Sequence, residues 1–197
     1  MLVTSFCGEL NAQVWSKSFT AGGYDSNNKL LGGSEVLQLI GHKNMLFAAV
    51  GYWEDANNIW YGGSNRNIGW GQINRLDNPL ANWQEDFFLG ASYLRPEILK
   101  QIIFTKDQFG NSLSSPDTVL ICAGYSSNFV TRSVIVKSFV RNDANGSWGE
   151  SQIVQGSFPA GENYSIRDIE IHVDQQTGLE YVFATVGTQG IYKGKYN

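Results

Sequence analysis

The order of apolar and polar residues repeats along this chain of 197 residues. Short apolar runs that close on glycine occur at residues 2–8, 45–51, 119–124 and 181–187. A second run, more polar and often alternating, follows each of them, at residues 13–19, 68–76, 133–140 and 190–196. Runs of this kind, bounded by glycine and polar residues, are typical of β-strands. The pattern therefore predicts an all-β chain.

Two further strands complete each unit. Strands that precede the apolar runs are predicted at residues 36–40, 98–104 and 166–173, and the apolar second strands extend over 45–53, 119–125 and 181–186. More polar fourth strands are predicted at 84–89 and 150–154, each next to a tryptophan, Trp83 or Trp148. Residues 105–116 contain glycine, asparagine, serine and proline, so we expect them to form an exposed loop.

Four strands per unit, with polarity rising from the first to the last, are typical of the blades of a β-propeller. We expect four-stranded antiparallel blades, about three to four of them, in repeats at 1–33, 34–94, 95–164 and 165–197. The pattern begins on a second strand and stops on a third. This leads us to expect part of a larger ring, or a ring completed by a second chain or a second copy.

One hairpin carries a recognisable motif. In residues 141–148, Asp143 stands five positions before Trp148, and Gly146 lies in the predicted turn. This resembles the Asp-box of sialidase-like (BNR) propellers, although Asn145 stands where the family has glycine. Residues 77–83 form a degenerate echo. The resemblance implies a structural turn in which the Asp143 carboxylate accepts turn amide hydrogens and Trp148 packs between sheets. It carries over no catalytic residue.

Composition narrows the class of protein. The net charge is -4, and the basic residues are scattered, which argues against nucleic acid as a partner. No apolar run reaches the roughly 20 residues that would cross a bilayer. Cys7 and Cys122 are expected to be buried free thiols, with a disulfide as the alternative. We expect no metal and no cofactor. Two glycosylation sequons, at 145–147 and 163–165, point to an extracellular or cell-surface location.

Charged residues stand where the first strands begin. The carboxylates are Glu35, Glu97 and Asp168, and the guanidinium groups are Arg95 and Arg167. In a propeller these positions surround the central funnel, so the carboxylates are candidates for acid–base catalysis and the arginines for binding an acidic sugar. Ion pairs between blades are the alternative interpretation.

The densest group of aromatic and amide side chains lies at residues 52–66. Trp60, Tyr61, Asn65 and Arg66 are ligand-binding candidates, because aromatic rings stack on sugars while amides and guanidinium groups bind hydroxyls. Packing in the core is the alternative. His42 and His172 each lie at the end of a first strand. They are candidates for general bases, with surface or turn residues as the alternative.

The sequence therefore predicts a lectin-like propeller that binds a carbohydrate or glycoconjugate without catalysis. One alternative is a glycoside hydrolase or polysaccharide lyase with its site in the central funnel. Another is a protein-interaction scaffold, for which a large exposed apolar patch would be the sign. The fold alone does not distinguish these three functions, so the geometry of the site has to distinguish them.

Overall fold

The computed structural model describes residues 15–52, 71–128, 130–157 and 163–195. The strands are β1 Glu35–His42, β2 Met45–Gly51, β3 Gln72–Leu76, β4 Gln84–Phe88, β5 Ile98–Lys106, β6 Ser112–Asn128, β7 Ser133–Arg141, β8 Trp148–Ser157, β9 Ile166–Val173, β10 Glu180–Val186 and β11 Gly190–Gly194. A short 3-10 turn at Gly187–Gln189 joins the last two. In the described ranges no helix is long and apolar enough to span a bilayer.

The strands form three antiparallel sheets in which chain neighbours pair. β1 to β4 make the first sheet, β5 to β8 the second, and β9 to β11 a three-stranded third. The first strands of successive sheets lie side by side, since β1 contacts β5 and β5 contacts β9. Consecutive meanders that meet along their first strands are the blades of a β-propeller. We call the sheets blade 1, blade 2 and blade 3.

Apolar side chains between the blades form the core. Phe47 and Ile73 of blade 1 pack with Leu120 and Phe139 of blade 2. Ile102, Val136 and Ile121 of blade 2 pack in the same way with Ile169 and Val186 of blade 3. β2 and residues 119–124 of β6 are buried on both faces, as their continuous apolar sequences predict, whereas β10 is only partly buried. Cys122 is a buried free thiol, as expected, whereas Cys7 lies outside the described residues.

Two predicted elements are wrong. Residues 105–116 are not a loop but the extension of a long hairpin, in which Lys106 pairs with Ser112 and a tight turn joins β5 to β6. The described part of the predicted strand at 13–19 forms no strand. It is exposed apart from Phe19, whose ring packs edge-on against Trp83 at 5.8 Å. A single packed ring fixes this segment to blade 1 without a hydrogen-bonded ladder.

Candidate functional site

The first strands begin at one end of the blades, which we call the entry end. Backbone hydrogen bonds of 2.8 Å tie the start of each first strand to the end of its second strand, from Ser34 N to Gly51 O, from Glu97 N to Ala123 O and from Gly187 N to Ser165 O. The segments before β5 and β9 therefore lie across the entry end. These two segments, residues 89–97 and 163–165, are the connectors between blades.

Glu97 links the two connectors. Its carboxylate accepts hydrogen bonds from Ser165 Oγ at 3.1 Å and Ile166 N at 2.8 Å, and Arg95 Nη2 lies 3.5 Å from Oε1. The side chain is 6% exposed. Burial raises the pKa of Glu97, against the opposing charges of Arg95 and Arg167 and the two hydrogen bonds. The structure thus brings these three sequence-predicted residues to one junction, between blades 2 and 3.

Two residues of this cluster were not predicted from the sequence. Burial raises the pKa of the Tyr125 phenol, with the Glu97 charge adding to the rise and a hydrogen bond with Ser165 opposing it. The available signal was position, because Tyr125 follows the closing glycine of its strand and Ser165 directly precedes β9. Both belong to the same polar junction as Arg95 and Glu97.

The backbone of Arg95 is held in place by close contacts with two glycines. A Cβ atom built on Gly51 would overlap the side chain of Arg95 and lie 2.7 Å from its Cα. One built on Gly71 would lie 2.8 Å from the same Cα. Glycine at these two positions lets the connector pass directly over the ends of β2 and β3. The Cα of Arg95 is therefore fixed in position, and 16% of the side-chain surface is exposed.

The other two carboxylate candidates lie apart from this cluster. Asp168 is exposed and pairs with Lys100 Nζ at 3.2 Å, and Glu170 pairs with the same ammonium group. Glu35 is exposed at the first position of β1. In the described ranges, no group of three or more His, Cys, Asp and Glu residues is placed to hold a metal ion.

Trp60, Tyr61, Asn65 and Arg66 lie outside the described residues. The ends of their loop are described, and both are bound to the first connector. Tyr52 N donates to Leu94 O at 3.2 Å, and Gly71 N donates to Tyr93 O at 2.8 Å. The loop therefore leaves and rejoins the fold beside Arg95.

At the opposite end, a buried charge cluster joins blades 1 and 2. Asp86 accepts hydrogen bonds from Arg141 at 2.8 and 3.1 Å, from Arg75 at 2.5 Å and from Trp148 Nε1 at 2.9 Å. The Asp86 and Arg141 side chains are 2% and 4% exposed. Neither carboxylate oxygen of Asp86 is left unpaired, so the cluster holds the blades together rather than offering a ligand site.

The role expected of Asp143 is corrected by this geometry. Asn142 accepts the turn amide hydrogens, through its carbonyl and its side chain. Asp143 instead accepts hydrogen bonds from His42 Nε2 at 2.8 Å and Arg141 at 2.8 Å, and pairs with Lys43 at 2.9 Å. The expected packing of Trp148 between sheets is confirmed, since its ring stacks on Phe87 at 5.0 Å.

His42 borders the turn between β1 and β2, as expected, but the expectation that it lies at the surface is wrong. It is 2% exposed. Its Nε2 faces Asp143, and its Nδ1 lies 3.3 Å from the Gln101 amide nitrogen. A proton on Nε2 satisfies both contacts, with Gln101 as the donor to Nδ1. His172 is exposed, with its ring 6.2 Å from that of Phe183.

The pKa of Asp143 predicts that the protein loses stability in acid. Burial acts to raise its pKa, but hydrogen bonds from Lys43, His42 and Arg141 outweigh this and lower it from 3.8 to about 2. A carboxyl group whose pKa is lower in the folded than in the unfolded protein stabilises the fold at pH values above its unfolded pKa. This stabilisation is lost as the pH falls through the folded pKa. We expect Asp143 to contribute about 2 kcal/mol at neutral pH.

Denaturant unfolding of wild type and Asp143→Asn between about pH 5 and pH 2 measures this contribution. The difference in unfolding free energy between the two proteins should shrink as the pH falls. A difference that stays constant over this range would show that Asp143 does not titrate below its ordinary value.

Comparison with known proteins gives no family. No protein-family model matches the chain, and no curated protein matches it. Two similar solved structures are both of the α-L-arabinofuranosidase Arb93a from Fusarium graminearum with an iminosugar inhibitor. One has a TM-score of 0.41 and 12% identity, covering 89% of this chain and 52% of that chain. The other, a mutant, has a TM-score of 0.40 and 12% identity, covering 78% and 45%. The chain spans about half the length of these structures, and at this similarity they assign it neither an activity nor a site.

Proposed function

We propose that the protein is a lectin-like β-propeller that binds carbohydrate at its entry end. One observation carries the proposal. Both ends of the aromatic and amide-rich loop are hydrogen-bonded to the connector that bears Arg95, at Leu94 and Tyr93. This anchoring puts the origin of the loop next to the junction that contains Glu97.

The charges of the junction indicate an acidic sugar. Glu97 is buried and occupied by Ser165 and Ile166, whereas Arg167, the residue after Ile166, is exposed. A guanidinium group can donate two parallel hydrogen bonds to a carboxylate. We infer that Arg167 contacts the ligand carboxylate, and that Arg95 supports it from its fixed position.

The loop would supply the remaining contacts. We propose that Trp60 and Tyr61 stack on the apolar face of a sugar ring, and that Asn65 and Arg66 bind its hydroxyl groups. We also propose that the repeats 1–33, 34–94, 95–164 and 165–197 mark the blades, and that the ring is completed by a second chain or copy. The sequon at Asn145 lies on an exposed hairpin turn, which supports an extracellular or cell-surface location.

The glycoside hydrolase alternative has one supporting observation, the raised pKa of Glu97, since a general acid requires a pKa near the working pH. Against it, Ser165 Oγ and Ile166 N already bind the two carboxylate oxygens of Glu97, and Asp168 pairs with Lys100. A carboxylate engaged in this way is not placed to transfer a proton. Binding without catalysis therefore remains the better-supported function.

A glycan array that includes uronic-acid oligosaccharides tests this function. We expect binding to acidic glycans, and Trp60→Ala should weaken it by about tenfold or more through the lost ring contact. The matched control is Trp15→Ala, because Trp15 is 86% exposed and lies outside the proposed site. Absence of binding to any glycan, or equal binding by wild type and Trp60→Ala, would contradict the proposal.

A further inference from the structure

A buried carboxylate lies beside two guanidinium groups at the entry end. The Glu97 side chain is 6% exposed, and Arg95 Nη2 lies 3.5 Å from its Oε1. Arg167 on β9 acts on the same carboxylate with a second positive charge. Tyr125 on β6 is a further titratable group that interacts with Glu97 in the described part of the chain. The charge of Glu97 therefore cancels part of the positive field that the two arginines produce at the entry end.

The hydrogen bonds of Glu97 can be satisfied in either protonation state. In the ionised state Ser165 Oγ donates to Oε1 at 3.1 Å, and Ile166 N donates to Oε2 at 2.8 Å. A serine hydroxyl both donates and accepts, so a protonated Oε1 would donate to Ser165 Oγ once that hydroxyl rotates. The hydroxyl hydrogen would then point to Tyr125, with which Ser165 is hydrogen-bonded. Proton uptake therefore leaves the two carboxyl oxygens of Glu97 with hydrogen-bond partners.

Burial already favours the neutral form of this carboxyl group. It raises the pKa of Glu97, although the arginines and the two hydrogen bonds oppose the rise. The proposed ligand carboxylate at Arg167 would bring another negative charge to the junction, and like charges raise the pKa of a carboxyl group further. Binding of the proton and binding of the ligand are therefore coupled. Such coupling is reciprocal, so each strengthens the other.

We propose that Glu97 takes up a proton when an acidic glycan binds, so that binding at the entry end is stronger in acid. The proton comes from solvent and forms an O–H bond at Oε1. It is not passed to the glycan, so no bond of the sugar breaks. The inference rests on the proposed carbohydrate site and adds a means of regulating it, because a glycan bound at low pH would be released as the pH rises.

Calorimetric titration of a uronic-acid oligosaccharide into the protein at about pH 5 and about pH 7 tests the coupling. The carboxyl groups of such a ligand, like an α-carboxyl group with a pKa of about 3.5, stay ionised at both values. We expect the wild type to bind about three- to tenfold more tightly at the lower pH. Glu97→Gln resembles the protonated form, since its amide can accept from Ile166 N and donate to Ser165 Oγ. It should bind with the same affinity at both pH values.

Asp77→Asn is the matched control, because it also exchanges a carboxylate for an amide. Asp77 is 41% exposed in the turn between β3 and β4, at the opposite end from the proposed site. This variant should retain the wild-type difference between the two pH values. Histidine side chains also commonly titrate in this range. His42 and His172 lie at the ends of first strands, away from the entry end, so an effect of either one would persist in Glu97→Gln.

The proton itself can be counted with the wild type alone, which keeps the test decisive if Glu97→Gln fails to fold. Near pH 5 the heat of glycan binding is measured in two buffers with different ionisation enthalpies. If Glu97 takes a proton from the buffer, the two heats should differ for the wild type. They should agree for Glu97→Gln.

Three results would count against the inference. Equal affinity at the two pH values, with the same heat in both buffers, would overturn it while leaving the proposed carbohydrate function intact. A pH dependence that folded Glu97→Gln retains would also overturn it, because the proton would then belong to another group. No binding at either pH would contradict the proposed function and this inference with it.

Discussion

Replacing Asp86 with alanine is expected to lower the free energy of unfolding by about 3–5 kcal/mol. The substitution leaves the Arg141 guanidinium, whose side chain is 4% exposed, without its main partner. It also removes the acceptor of the Trp148 Nε1 hydrogen bond. For a chain of this length the midpoint of thermal unfolding should fall by roughly 6–20 °C. Thermal and denaturant unfolding followed by circular dichroism would measure both quantities.

The matched control is Asp77→Ala. Asp77 pairs with Arg75 as Asp86 does, but its side chain is 41% exposed. Exposed pairs contribute about 0–1 kcal/mol, so this variant should unfold almost as the wild type does. If Asp86→Ala proved no more destabilising than Asp77→Ala, the buried cluster would not hold the first two blades together.

The second large effect is expected from Gly51→Ala. The added Cβ would overlap the Arg95 side chain, and Arg95 cannot shift away freely because Gly71, the residue before β3, packs against its Cα. Overpacking of this kind usually costs about 1–3 kcal/mol, and here it acts on backbone atoms that have little room to relax. Denaturant unfolding should show that loss, and glycan binding should weaken because the connector that bears Arg95 is displaced.

Gly41→Ala controls for the change of residue type. Gly41 also lies in a strand of blade 1, but a Cβ built on it meets nothing within 4 Å. This variant should keep wild-type stability to within about 0.5 kcal/mol. Equal stability of Gly51→Ala and Gly41→Ala would show that the connector does not press on β2 as described.

The sequence predicts strands well where burial sets their pattern. β9 coincides with the predicted residues 166–173, and the core of β10 with 181–186. The extension of β5 and β6 through 105–116 was not predictable in this way. Its residues are polar and mostly exposed, so burial sets no pattern there. The pairing also passes through a register shift, since Phe104 lies opposite Asp117 but Lys106 lies opposite Ser112.

The polar contacts between blades were harder to predict than the strands. Asp143 and Trp148 belong to a motif within one hairpin, but one partner of Asp143 is His42, 101 residues away along the chain. A motif within one hairpin cannot reveal a contact with another blade. The junction at the entry end was partly predicted, because Arg95, Glu97 and Arg167 stand where first strands begin. Tyr125 and Ser165 join it through contacts that depend on the path of the connectors, which the strand pattern does not predict.

Calorimetric titration of an acidic oligosaccharide into wild type, Arg167→Ala and Arg132→Ala tests the proposed site most directly. Arg132 is exposed in the turn between β6 and β7, at the entry end of blade 2. Its removal therefore changes the net charge by the same amount as the removal of Arg167. If Arg167 binds the ligand carboxylate, Arg167→Ala should bind about 10- to 100-fold more weakly, since hydrogen bonds to charged groups contribute about 1.5–3 kcal/mol. Arg132→Ala should bind as the wild type does. Wild-type affinity in Arg167→Ala, or an equal loss in both variants, would contradict a carbohydrate site at the entry end.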